Sequence, residues 1–231
     1  MQIEQFELLA KKRFSCRAFD KKPVSEKLME KLLDTTRMSP SSYNLQPIHY
    51  IVVQSEMAKK AVWEACLKQD QILMAPYIVL FAADRRVIDN NAEAIINEEK
   101  RSGSFTEEKT KHFRKFLSFG FDTSKWGFQG FIKRLCAPIV RWRATMPTLP
   151  LENMDAWLAK QAGLSVMTFV WAAESAGLST CIMEAFDEKR LRKAVSLDNS
   201  WYIPMIVAVG YGNFSGVKTS RLPLSESVTW I

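Results

Sequence analysis

The chain has 231 residues, 47% of them hydrophobic, which suffices for one sizeable domain with a substantial core. Its net charge of +7 invites a nucleic-acid reading, but the cations are scattered among acids, as in Asn97-Glu98-Glu99-Lys100-Arg101, and form no basic stripe. The longest apolar candidate, Gly163 to Ala173, falls well short of the roughly 20 residues a spanning helix needs.

In chain order, Ile3 to Leu9 is a short amphipathic stretch with Ile3, Phe6, Leu8 and Leu9 as its apolar residues. Arg13-Phe14-Ser15-Cys16-Arg17 follows. On a continuing helix, Arg13 and Arg17 share a face. In an extended segment, Arg13, Ser15 and Arg17 do. Either way two guanidiniums and a hydroxyl converge, which suits a phosphate; a solvated basic patch is the alternative. Glu26 to Met38 has helical spacing at Leu28, Leu32 and Leu33, with Ser25 as its cap. Ser39-Pro40-Ser41-Ser42-Tyr43-Asn44-Leu45-Gln46-Pro47 then packs hydrogen-bonding side chains between two prolines that stiffen the backbone. It is either a polar connection with ordinary turn chemistry or a fixed fan of groups for a planar, heteroatom-rich ligand.

Ile48 to Gln54 reads as a strand, Glu56 to Leu67 as a helix, and Tyr77 to Ala83 as a central strand buried on both faces. Arg85 to Arg101 is a partly exposed helix. Phe105 to Arg143 is rich in aromatics, with Phe113, Phe116 and Phe119 three apart. It is either a satellite core or a lid on which planar substrates stack. Leu151 to Ala176 is the longest helical candidate, stopped by Gly177, and its small residues suit close packing or a dimer seam. Ser179 to Ile182 is a short strand, Asp187 caps a helix to Ala194, and Ile203 to Val209 is another buried strand. The glycines of Gly210 to Gly216 lack the spacing and following helix of a dinucleotide loop. Lys218 and Arg221 form a second basic cluster, and Ser227 to Ile231 reads as a last strand.

Cys16, Cys66, Cys136 and Cys181 are too few and too widely spaced for a disulfide framework, and with His49 and His112 they make no metal motif. Cys66 and Cys181 read as core packing. No Ser/His/Asp or Cys/His set stands out. The N-terminus lacks the basic-then-apolar order of a secretory signal, so the expectation is a soluble, cytoplasmic protein without membrane or nucleic-acid partners. Irregular alternation of elements implies an α+β domain with a central sheet between helices.

Taken together, the motifs resemble the FMN-dependent nitroreductase family. Arg13, Ser15 and Arg17 match its Arg-x-Ser-x-Arg pattern, and Ser39 to Pro47 its Ser-Pro-Ser-Ser-x-Asn-x-Gln-Pro loop. Gln69 to Pro76, Gly177 to Asp187, and Lys218 with Arg221 look like its later motifs, in the same order. Ala185 stands where many relatives have Gly, and Ile48 where a Trp often follows the loop proline. About 97 to 150 matches no family element and is read as a variable helical and aromatic excursion from one domain spanning 1–231.

The resemblance implies a nitroreductase-like α+β fold, with a mixed or antiparallel central sheet, in a domain-swapped homodimer whose last strand joins the partner's sheet. It implies FMN, NADH or NADPH as donor, and ping-pong reduction of a small aromatic substrate such as a nitroaromatic or quinone. Arg13, Arg17, Lys218 and Arg221 would hold the phosphate. Ser15 and Gln71 would address the ribityl chain or ring edge, and Phe14 and Gln69 would belong to the same cofactor site. Pro40, Ser41, Ser42, Asn44 and Gln46 would complete the interface site, with the loop coming from the other subunit. Glu184 and Ala185 would face the reactive edge, Glu184 through its side chain or its backbone alone. Specialised relatives (reductive dehalogenases, flavin-fragmenting or enoate-type reductases) and a flavin-binding module with little turnover are the alternatives.

Overall fold

In the computed structural model, residues 2–121, 128–145, 153–213 and 219–231 are described. Four strands form one antiparallel sheet in the order β1-β2-β4-β3: β1 Ile48–Val53, β2 Tyr77–Asp84, β3 Ser179–Met183 and β4 Trp201–Gly210. Among the described residues every strand pair is antiparallel, and the one parallel element is an isolated bridge from Ser15 to Thr180. Of the mixed and antiparallel sheets expected, the antiparallel one is therefore observed.

Central β2 is buried along its whole length because its two faces feed two cores. Ile78, Leu80 and Ala82 pack with Ile206, Ala208 and Cys181 under α3 (Glu56–Ala65) and α9 (Glu188–Ala194). Tyr77, Val79 and Phe81 pack with Val207 and Val209 under α2 (Glu26–Thr36) and α8 (Met154–Ser175). Period-two alternation thus makes one apolar run serve both sides. α8 contributes Val166, Phe169, Val170 and Ala173.

The expected caps are present. Ser25 Oγ accepts from the Leu28 N–H at 3.3 Å, and the Asp187 carboxylate from the Arg190 N–H at 3.0 Å. α1 spans Ile3–Lys12 and the single turn α4 Gln71–Met74. The expected helix from Arg85 begins at Val87 (α5, Val87–Arg101), because Arg85 is drawn into a bidentate pair with Asp155, 2.7 and 2.9 Å, that ties β2 to the start of α8.

The aromatic excursion forms α6 (Glu107–Gly120) and α7 (Phe128–Arg143). α6 belongs to a third core in which Leu117 and Phe121 meet Trp157, Leu158 and Leu45. The satellite-core reading therefore holds for α6, whereas α7 turns Phe131 and Trp142 outward. The expectation of a strand over Ser227 to Ile231 is not met within this chain: a single turn at Leu224–Glu226 precedes exposed residues without a ladder. A strand needs an edge to pair with, and the segment meets none in its own subunit.

Candidate functional site

α1 ends at Arg13, whose backbone φ of −60° and ψ of 129° leave the helix. The extended reading of the Arg13–Arg17 segment is therefore the one observed. The Cys16 N–H donates to the Thr180 carbonyl at 2.9 Å, pinning the segment along β3. Alternation buries Cys16 and leaves Ser15 and Arg17 exposed. Burial pushes the Cys181 thiol up, and the Arg17 guanidinium beside it pulls it partly back.

Arg13 and Arg221 line one cavity of about 690 Å³, together with Lys11, the Glu7 carboxylate that pairs with it, Met167, Trp171 and Thr219. The Thr219 hydroxyl donates to the Arg13 carbonyl at 3.4 Å, closing the C-terminal segment onto the N-terminal one. Cations from opposite ends of the chain thus share one space with Met167 and Trp171 on its apolar side. Lys218 lies outside the described residues.

The far end of β3 carries a second cluster. Gln69 donates through Nε2 to the Ala185 carbonyl at 2.9 Å and the Cys66 carbonyl at 3.1 Å. Its Oε1 accepts from Gln71 Nε2 at 3.0 Å, and the same nitrogen lies 3.3 Å from Met183 Sδ. Gln69 therefore fixes the peptide after β3 with its amide nitrogen and holds Gln71 with its oxygen, while Glu184 and Ala185 are exposed beside it. Phe14 packs against the core, so its ring buttresses the arginine segment from behind.

The Ser39–Pro47 loop sits elsewhere. Tyr43, Asn44 and Gln46 all have left-handed backbones, with φ of 58°, 55° and 49°. Such conformations in residues with a Cβ persist only where the surroundings impose them. The surroundings here are specific. The Ser42 N–H donates to Gln161 Oε1 of α8 at 2.8 Å. Asn91 of α5 donates to the carbonyls of Leu45 and Gln46 at 2.9 and 3.2 Å. Asn44 donates to Glu99 at 3.1 Å, Ser41 Oγ accepts from the Gln46 N–H at 2.9 Å, and Leu45 is fully buried. Pro40 precedes this turn. Tyr43 meets Phe116 at 5.0 Å and Phe113 at 6.4 Å between centroids, so α6 borders this loop.

The two groups of residues lie on opposite edges of the sheet. The loop leads into β1, where Ile48 pairs with Ala83. The arginine segment flanks β3, where Ser179 pairs with Gly210. Strand spacing and rise put those corners roughly 25 Å apart. Within one chain, then, Arg13, Ser15, Arg17, Gln69, Gln71, Glu184 and Ala185 flank one edge strand, Arg221 shares a cavity with Arg13, and Pro40, Ser41, Ser42, Asn44 and Gln46 do not join them. Gln161 and Asn91, which hold the loop, were not singled out from the sequence. The available signal was a polar side chain on otherwise apolar helical spacing. Among the described residues no cluster of metal-ligating side chains occurs, and no helix is long and apolar enough to cross a membrane.

Comparison with known proteins is consistent over nearly the whole chain. A model of the Nitroreductase family matches residues 10–211. The chain is 28% identical to an oxygen-insensitive NAD(P)H nitroreductase from Enterobacter cloacae, covering 96% of this chain and 97% of that protein. It is 27% identical to an NADH dehydrogenase from Thermus thermophilus, covering 96% and 93%. Among solved structures, a nitroreductase family protein from Streptococcus pneumoniae superposes with a TM-score of 0.72 at 22% identity, covering 98% and 100%. A protein from Exiguobacterium sibiricum, described as a nitroreductase and solved in complex with FMN, gives 0.73 at 19% identity, covering 98% and 97%.

Proposed function

The chain belongs to the nitroreductase family, and from that premise we propose that it is an FMN-dependent oxidoreductase drawing on NADH or NADPH to reduce nitroaromatic or quinone-like substrates. The observation that carries the reading is the cavity shared by Arg13 and Arg221, reached from opposite ends of the chain and joined by the Thr219–Arg13 hydrogen bond. Its donor chemistry suits a phosphomonoester, since guanidiniums offer paired N–H groups to phosphate oxygens. From Thr180 to Ala185 the edge of β3 extends about 16 Å, which leaves room for an extended mononucleotide alongside.

In this reading Arg13, Arg17 and Arg221, with Lys218, hold the phosphate. Ser15 and Gln71 address the ribityl chain and ring edge. Gln69 acts one step back, orienting the Ala185 peptide. Glu184 contributes through its backbone, its side chain being exposed. Bound FMN supplies two-electron transfer between a reduced nicotinamide and an electron-poor acceptor, each occupying the same open face in turn. The chain's own residues bind, orient and set the electrostatics.

The Ser39–Pro47 loop completes the site from a second copy of the chain. Its separation from the arginines within one subunit supports that arrangement. So does the exposed apolar C-terminal segment, with Leu222 at 78% and Trp230 at 91% exposure, which a partner subunit would cover. Residues 1–231 then act as one FMN-binding domain, with the excursion at about 97–150 as its variable part.

The deciding experiment is an absorbance spectrum of the purified protein, followed by anaerobic NADH, then NADPH, then a nitroaromatic or a quinone. Flavin bands that bleach with a nicotinamide and return with the acceptor are expected. A protein that takes up no FMN on reconstitution overturns the reading. In a companion titration, Arg221→Ala weakens FMN about tenfold or more and leaves riboflavin, which lacks the phosphate, unchanged. Equal affinity of wild type and variant for FMN removes Arg221 from the phosphate site.

A further inference from the structure

Glu174 stands in the last turn of α8, only 8% exposed, and its Oε1 has no hydrogen-bond partner among the described residues. A buried carboxylate without partners is costly, so its surroundings decide its charge. α8 meets α1 at this point. Phe6 of α1 packs edge-on against Trp171, 4.9 Å between centroids, and Glu174 lies three residues beyond Trp171 on the same side of the helix. Trp171 shares the Arg13 cavity, and Glu174 shares a second cavity of about 420 Å³ with Lys12, Asp20, Lys22 and Tyr211.

The charged and titratable groups facing Glu174 come from three places. α1 and its C-cap supply Lys12 and Arg13, the segment that follows supplies Cys16, Asp20 and Lys22, and the residue after β4 is Tyr211. Lys22 is drawn onto the Tyr211 ring, 4.0 Å from its centroid, and burial pushes the Cys16 thiol up, so it stays neutral. In the Arg13 cavity, Glu7 and Lys11 pair with each other. Burial favours the neutral acid and pushes Glu174 up from 4.5 to about 7, and the cations that pull it back are Arg13 first and Lys12 second. Near neutral pH the group is therefore poised between its two forms, and Arg13 holds the balance.

We propose that Glu174 is a proton-linked positioning residue for the phosphate site: it takes a proton from solvent when a phosphate dianion engages Arg13, and returns it when the phosphate leaves. The coupling presupposes that the Arg13 cavity holds the FMN phosphate. A dianion there offsets the guanidinium's positive charge and adds negative charge of its own, so the ionised carboxylate loses its support. The bound-state carboxyl therefore titrates above its free value of about 7. The sign follows from linkage: phosphate affinity is highest below about pH 7 and falls as pH rises from there through the bound-state value. Ionised, Glu174 competes with the phosphate for the same guanidinium; protonated, it leaves Arg13 to the ligand.

The test is the affinity of the full-length protein, freed of flavin, for FMN and for riboflavin from about pH 6 to about pH 8.5, in wild type and Glu174→Gln. The titration of the phosphate itself, near about pH 6, is common to both proteins and cancels in their ratio. At about pH 6 the two should bind FMN within about two-fold of each other. At about pH 8.5 wild type should be about five-fold weaker, as follows if bound phosphate moves the carboxyl by about one pH unit. Riboflavin, which lacks the phosphate, should show no such divergence. Calorimetry near pH 7 in buffers of unlike ionisation enthalpy should show wild type taking up more protons on binding FMN than the variant does. If glutamine disturbs the fold, the ratio of FMN to riboflavin affinity in wild type alone, falling between about pH 7 and about pH 8.5, reads the same coupling. Parallel FMN curves for the two proteins, wild type the tighter at high pH, or an equal divergence with riboflavin would each overturn the proposal. FMN binding without the divergence removes the coupling alone, whereas no FMN uptake by either protein removes the flavin reading and the coupling with it.

Discussion

Two helices of this protein carry apolar faces of opposite fate. α8 presses Val166, Phe169, Val170 and Ala173 into the sheet, all of them at or below 1% exposure. α7 holds Phe131, Leu135, Ile139 and Trp142 away from the body of the fold. The hydrophobic driving force is the same per unit area in both. The difference is what lies opposite: β2 and β4 for α8, and nothing within the described residues of the subunit for α7. An apolar stripe therefore specifies a helix and a face, while the covering surface is a property of the assembled molecule.

The sharpest way to break that comparison is to truncate one aromatic in each helix. Phe169→Ala leaves a cavity beside Phe81, whose ring centroid lies 5.8 Å away. It should lower stability by about 3–5 kcal/mol in urea unfolding. Trp142→Ala should stay within about 0.5 kcal/mol, since it removes little that folding buries. Comparable losses from the two would show that α7 is packed in solution.

A second test uses the one carboxylate that α8 buries. Glu174 Oε1 has no hydrogen-bond partner, and burial pushes its pKa up from 4.5 to about 7 against the pull of Arg13 and Lys12. The native state thus keeps a proton that the unfolded chain releases above about 4.5. The sign follows: this group's contribution is fully present below pH 4.5 and is lost as pH rises through about 7. The loss is on the order of 3 kcal/mol. Glu174→Gln should remove the slope, so the variant gains on wild type between pH 5 and pH 8 in urea midpoints. Parallel pH dependence in the two proteins would mean that Glu174 is ionised and solvated in the fold.

These contrasts explain what was legible in the sequence. β2 could be read because burial on both faces leaves a continuous apolar run, and Ser25 and Asp187 because a cap is a local exchange within three residues. The arginine and loop motifs could be recognised as patterns of residue type. Their placement could not. That Arg13 meets Thr219, or Ser42 meets Gln161, depends on pairings across 206 and 119 residues that no local period records. The spacing read at Phe113, Phe116 and Phe119 belongs to α6, and the aromatic content alone did not say which way α7 faces, whose buried side holds a residue as small as Ala137. The strand expected over Ser227 to Ile231 does not form within one subunit for a related reason: β propensity describes a side chain's fit to a pleated surface, and supplies no edge to pair with.

The finest contrast lies in two glycines with the same local job. Gly177 after α8 and Gly103 after α5 have φ of +77° and +78°, and a Cβ at either would meet nothing within 4 Å. Both close the same C-terminal motif. The Leu178 N–H reaches the Ala173 carbonyl and the Gly177 N–H that of Glu174; the Ser104 and Gly103 N–H groups reach Glu99 and Lys100 in the same way. Alanine should therefore impose the same backbone strain at each, about 1 kcal/mol. The consequences should differ, because stability is not uniform over a fold. Gly177 lies between α8 and β3, whose ordering is inseparable from the sheet, so Gly177→Ala should lower the global urea transition by the full amount. Gly103 joins α5 to α6, which is held by one satellite core and surface ion pairs. If α6 and α7 open as a unit before the sheet unfolds, Gly103→Ala should leave the global transition nearly unchanged and speed amide hydrogen exchange in α6. Equal global losses from the two alanines would join the excursion to the core in a single cooperative unit.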